Sequence, residues 1–388
     1  MSSSLAGQAR ALSVFIVAGP SVAALLQSIT STATKRRIGL LTSETSESEA
    51  AHFVVEQLAH DPAEITNQIR IIADTNTLDH LIIKCTAEMP AIALASLFLP
   101  RDDAPRRLTE SAKLITTVLT INPSVLVDSL IGVRQTEGLI SPCFVAEQIE
   151  FAGHIFLDGN PDSPGFERAR AIANALNPRA RVLELSGESL KEMLDHTGTS
   201  FDFAAALDGA GWRQLIDAEE PRGPDDGCVL AFAYRARKPF HPQSFWDVLQ
   251  SGFAGVFRAK GFFWLATRND QVGGVNLAGS EFQVAPAGKW WAARDEHARE
   301  AEMPDRTRKE WKGPFGDRRQ AIAFMGIDCD PHRLNAQLDA CLLTDLEMAG
   351  GEQSWRTLHD PFPSWAGEAH HHDCDHEDDG DEHDCCHH

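Results

Sequence analysis

The chain has 388 residues, with 35 Lys and Arg against 56 Asp and Glu, for a formal net charge of −21. Hydrophobic residues make up 43% and charged residues 23%, the balance of a globular protein with a real core divided over about two or three domains. The acidic balance excludes a nucleic-acid partner, which needs a basic face to displace counterions from phosphates, and no apolar run reaches the ~18–20 residues of a membrane span.

Taken in chain order, the first part alternates short apolar runs with helical patterns. LSVFIVAG (12–19) reads as a buried strand, and Pro20 to Ile29 as a helix with Val22, Leu25, Leu26 and Ile29 on one face. RRIGLLTS (36–43) is a second strand, Ser48 to Leu58 a helix, and DHLIIKCT (79–86) a third strand. LITTVLTI (114–121), HIFLDG (154–159) and RVLELS (181–186) complete the set. Fully apolar strands separated by helices predict an α/β domain over 1–207 with a mostly parallel sheet covered on both faces. Arg10 followed by ALSVFIVAGPSVAALL imitates a secretory signal, with Ser31-Thr32-Ala33 as a cleavage site. Gly19-Pro20 interrupts that stretch, however, and the segment reads better as strand, turn and helix.

Residues 208–227 are rich in Gly, Pro and acid and read as a linker. Beyond them the pattern changes. Strands are expected at 228–237, 262–268, 281–293 and 320–328, and helices at 243–251 and 331–348. The strands have a hairpin character, so 228–365 is expected to be an α+β domain. Seven of the eight tryptophans fall between 246 and 365, which makes its core aromatic-heavy.

Residues 366–388 form a third region, ending in HHHDCDHEDDGDEHDCCHH, and are expected to be disordered without a ligand. Imidazole, thiolate and carboxylate are the ligands that borderline divalent metals take, zinc normally taking four. Residues 370–388 hold eighteen such groups in nineteen residues. The expected metal ligands are His370, His371, His372, Cys374, His376, His383, Cys385, Cys386, His387 and His388, together with the interleaved acids. Their spacings match no fixed finger, so a fluxional, multi-ion site is expected, with Zn²⁺ first and nickel, cobalt or copper open. The other cysteines (Cys85, Cys143, Cys228, Cys329 and Cys341) are scattered through a large chain, which points to a cytoplasmic protein with reduced thiols.

Several long strings carry a resemblance: AYRARKPFHPQSFWDVL (233–249), FRAKGFFWLATR (257–268), AGKWWAA (287–293), FGDRRQAIAFMGID (315–328), LDACLLTDLEM (338–348) and DPFPSW (360–365). They are similar to the C-terminal domain of the CobW family of zinc-related GTPases and metallochaperones. The strand, turn and helix at 12–29 and VAEQIEFAGHIFLDGNPD (145–162) resemble the same family more weakly. The resemblance implies an N-terminal P-loop GTPase-like domain, a CobW C-terminal domain, zinc binding and a His-rich end.

The residues that such a GTPase needs have gone. A P-loop reads G-x-x-x-x-G-K-[ST], because glycines let backbone N–H groups wrap phosphate and the Lys neutralises charge. The matching place here is Ala18-Gly19-Pro20-Ser21-Val22-Ala23-Ala24-Leu25, with the next lysine at Lys35. Gly19 and Ser21 are what remains of the loop. The family's C-x-C-C metal triad falls on EQLAHDPAE (56–64), where His60 and Asp61 are the metal-capable side chains of a solvated loop. Its Glu-Ser-Thr-Gly becomes Lys84-Cys85-Thr86-Ala87, and its guanine reader Asn-Lys-x-Asp becomes Asp158-Gly159-Asn160-Pro161-Asp162. Cys85 reads as a buried apolar residue. His241, Arg258, Lys260 and Asp317-Arg318-Arg319 read as a His-Pro helix start and surface ion pairs.

The expected function is therefore zinc capture, as a metallochaperone or a zinc buffer, with neither GTP binding nor hydrolysis and no catalytic residue. Two alternatives stand beside it. One is a working GTPase that couples hydrolysis to metal transfer; the other is a pseudo-GTPase that partners an intact family member. A client metalloprotein is the other expected partner.

Overall fold

The structure is a computed structural model that describes residues 11–32, 36–43, 53–86, 88–100, 108–132, 141–218 and 228–365. Seven strands form one sheet: β1 (Leu12–Ala18), β2 (Ile38–Thr42), β3 (Val54–Gln57), β4 (His80–Lys84), β5 (Ala112–Ile121), β6 (His154–Leu157) and β7 (Arg181–Glu184). Their order is β3-β2-β4-β1-β5-β6-β7, and every pairing is parallel. Helices α1 (Val22–Ser31), α2 (Pro62–Thr75), α3 (Ala91–Ser96), α4 (Pro123–Ile131), α5 (Pro142–Phe151), α6 (Pro164–Leu176) and α7 (Gly187–Asp195) lie between or after the strands.

The apolar runs explain the layering. Successive residues of a strand point to opposite faces, so Phe15 and Val17 of β1 pack with α1 and α7, while Val14 and Ile16 pack with α2 and α3. A strand buried on both faces needs no polar alternation, which is why β1 is apolar nearly throughout. The helix starts are written in the sequence as well. Asp61, Asn122, Ser141 and Ser163 each cap a helix whose first residue is Pro, where the missing N–H is harmless.

Two short helices, α8 (Phe203–Gly209) and α9 (Gly211–Asp217), lead to the second sheet. That sheet is antiparallel: β8 (Leu230–Ala236), β9 (Val256–Phe263), β10 (Gln271–Ala278), β11 (Glu281–Lys289) and β12 (Gln320–Gly326), in the order β11-β10-β9-β12-β8. Helices α10 (Pro242–Ser251) and α13 (Pro331–Asp339) cover one face, over a core built on Phe240, Phe245, Phe263 and Phe324. Helices α11 (Glu296–Glu302) and α12 (Asp305–Lys309) lie between β11 and β12, and α14 (Asp345–Trp355) follows α13. The other face of the sheet, through Phe257, Ala323 and Met325, joins one apolar cluster with Ile149 of α5, Ile172 of α6 and Trp212 of α9.

Four local expectations are corrected. Val54–Gln57, placed in a helix at 48–58, is the edge strand β3, as its Val54-Val55 pair favours. The strand expected at 262–268 is β9 at 256–263, because Arg258 and Gly261 broke the apolar pattern, and 266–268 is a single 3₁₀ turn. The helix expected at 331–348 is two helices. Thr344 and Glu347 form a capping box that starts α14 afresh. Within 208–227, Gly211–Asp217 is the helix α9, whose Trp212 and Leu215 are buried.

Candidate functional site

In open parallel sheets, ligands sit beyond the carboxyl ends of the strands, which here means the turn after β1. The turn is three residues long. β1 ends at Ala18, and α1 begins at Val22. Gly19 has φ 109°, and a Cβ there would fall 2.1 Å from the Thr120 carbonyl oxygen of β5. The Ser21 N–H donates to the same carbonyl at 3.4 Å. The backbone that would curl around a phosphate instead lies against β5. Pro20 has no N–H to offer. Leu25, at the place of the P-loop hydroxyl, is fully buried with Leu26 and Val22 under the sheet. Lys84 ends β4 in register with Val17.

The other expected site residues fall into structural roles. Asp61 accepts from Ala63 N and Glu64 N as the cap of α2, with His60 exposed beside it. Cys85 donates its N–H to Val17 O at 2.8 Å, and burial pushes its thiol up to about 12, so it stays protonated and is a poor metal ligand. Burial likewise holds Cys143 and Cys341 at about 11. At 158–162, the Asp158 carbonyl accepts from the Asn122 amide, and Asn160 Oδ1 accepts from Asp162 N. That segment is a self-bonded turn.

Among the described residues, no group of three or more His, Cys, Asp or Glu is placed to hold a metal ion. The expected ligands His370, His371, His372, Cys374, His376, His383, Cys385, Cys386, His387 and His388 lie outside the described residues.

In the second sheet, His241 does start α10, its Nδ1 accepting from Ser244 N at 3.5 Å. The surface-pair reading fails for its neighbours. Arg258 is fully buried and paired with Glu150 of α5, Nε to Oε1 at 2.7 Å and Nη2 to Oε2 at 3.0 Å. Asp317 is buried and accepts from Trp291 N and Ala292 N, while Arg318 Nε donates to Asn269 O at 2.7 Å. These are internal cross-links. Burial opposes ionisation of Glu150, but Arg258 and Lys260 outweigh it and hold the carboxyl below its ordinary range. Nothing in the local sequence flags Glu150, because its partner is 108 residues away.

Comparison with known proteins finds relatives of this chain. Residues 229–342 match the family described as cobalamin synthesis protein cobW C-terminal domain. The chain is 30% identical over 317 residues to zinc-regulated GTPase metalloprotein activator 1 of Dictyostelium discoideum, covering 76% of this chain and 66% of that protein. It is 40% identical over 145 residues to a zinc chaperone of Mycobacterium tuberculosis, covering 36% of each. The matches thus span just under two thirds of one relative and about a third of the other. The crystal structure of the Zn(II)-bound YjiA GTPase from E. coli aligns over 86% of this chain and 100% of that one, at 11% identity and a TM-score of 0.38.

Proposed function

Since this chain belongs to the CobW family, we propose that it handles zinc as cargo, capturing the ion at 370–388 without using a triphosphate pocket. The observation that carries this reading is the run of eighteen nitrogen, sulfur and oxygen ligand groups in nineteen residues. Zinc takes four such ligands, and the run offers many equivalent sets. An incoming thiolate or imidazole from a client metalloprotein replaces one ligand at a time, so the ion is never bare. Binding requires neutral imidazole and thiolate, so affinity falls steeply below about pH 6. The names of the relatives, a zinc chaperone and a zinc-regulated activator, support zinc over nickel, cobalt or copper. The three-residue turn pressed on β5 supports the second half of the reading. A cytoplasmic site of action, where thiols stay reduced, suits such a run of cysteines.

The test is a zinc titration of the full chain against a full-length variant in which the ten His and Cys of 370–388 are replaced by Ser. The expected result is loss of nearly all zinc stoichiometry in the variant. Equal stoichiometry in the two overturns the proposal.

A further inference from the structure

The seam between the two sheets is unusually closed for a contact between units that move. Arg258 of β9 is fully buried, and every nitrogen of its guanidinium is engaged: two on Glu150 of α5, and Nη1 on Asn276 Oδ1 at 2.6 Å and Leu277 O at 3.0 Å. Lys260, two residues on along β9, shares Oε2 of the same carboxylate at 3.1 Å and lies over the Trp212 ring at 5.4 Å. Around this polar knot the apolar cluster runs without a break from α5 and α6 into β9 and β12. The backbones touch as well. A Cβ on Gly211 would sit 2.0 Å from Ala175 O and 2.9 Å from Met325 Cε.

We propose that Glu150 is the pin of a latch that fixes the two sheets in one orientation, so that the chain works as a single rigid body with no ligand-driven hinge between them. Two arguments carry this. Seams that open on ligand binding are small and polar, whereas this one has an apolar interior. A guanidinium and a carboxylate bonded through parallel forks tolerate one relative orientation, so a tilt of one sheet against the other breaks both bonds together. The inference is independent of metal binding at 370–388, and stands or falls separately.

The test uses the full chain. Tryptophan fluorescence reports mainly the second sheet, since seven of the eight tryptophans lie between 246 and 365. Hydrogen exchange of β5 peptides reports the first. In the native chain, the slowest amides of β5 and β12 are expected to exchange through one shared opening, with protection agreeing within about threefold. Protection of β12 that is lower by about tenfold or more overturns the latch, whether or not any variant folds. Glu150→Ala is expected to separate the urea transitions of the two reporters. Coincident transitions in a folded Glu150→Ala variant also overturn it.

Discussion

His154 on β6 sits with its Nδ1 3.0 Å from the Thr116 hydroxyl, while its Nε2 is buried with no hydrogen-bond partner among the described residues. Burial, aided by the nearby Arg181, lowers its pKa from 6.5 to about 4. The folded state therefore holds this ring neutral where the unfolded chain would charge it. Its contribution is fully present above pH 6.5 and is lost as pH falls toward 4. Between pH 7 and pH 5 the loss amounts to about 1–2 kcal/mol, allowing for partial exposure. Urea unfolding of the native chain and of His154→Asn, at both pH values, measures it. The variant is expected to lose markedly less stability on acidification, and identical losses would refute the assignment. At this scale, sequence reading succeeds where a residue's role is local. Asp61 caps the helix it precedes, and Cys85, expected to be buried, is half-buried beside its own strand. It fails for Arg258 and Arg318, since a charge is read as solvated until a distant partner such as Glu150 or the Asn269 carbonyl is seen.

Elements were legible in proportion to how strongly one pattern dominated. The buried parallel strands β1, β4 and β5 are largely apolar runs, and each stands close to its expected place. β10 carries no legible strand pattern because Gly273-Gly274 reads as a turn, and β3 none because a four-residue edge strand has too few residues to show a period. The turn after β1 was legible in composition but not in length. Only the structure places the start of α1 at Val22, with three residues between it and β1 and with Leu25 packed under the sheet. A lysine alone therefore cannot rebuild a phosphate cradle, which needs several free N–H groups in a wide loop. Ala24→Lys, which puts the side chain at the P-loop lysine position, is expected to give no saturable binding of a fluorescent GTP analogue at about 100 μM protein, like the native chain. Saturable binding by either would show that the turn opens wide enough to take a triphosphate.

Across the whole molecule, the acids and the candidate ligands are unevenly spread. Residues 370–388 hold eight of the 56 acids, seven of the 16 histidines and three of the eight cysteines. The described body offers no metal-holding group, and its cysteines at 85, 143 and 341 are protonated by burial. A ligand stabilises a fold only to the extent that it binds the folded state better than the unfolded one, by ~2.7 kcal/mol at one hundred times its Kd when the unfolded chain binds none. A site made from one contiguous run needs no folding of the sheets to assemble, so both states hold the ion and the gain cancels. Zinc should load the full chain stoichiometrically and yet leave its Tm within about 1 °C of the chelator-treated value. The measurement is differential scanning calorimetry with zinc and with EDTA. A rise of about 5 °C on loading would place the ion inside the folded body, because only a site assembled by folding couples metal to the melting of the sheets.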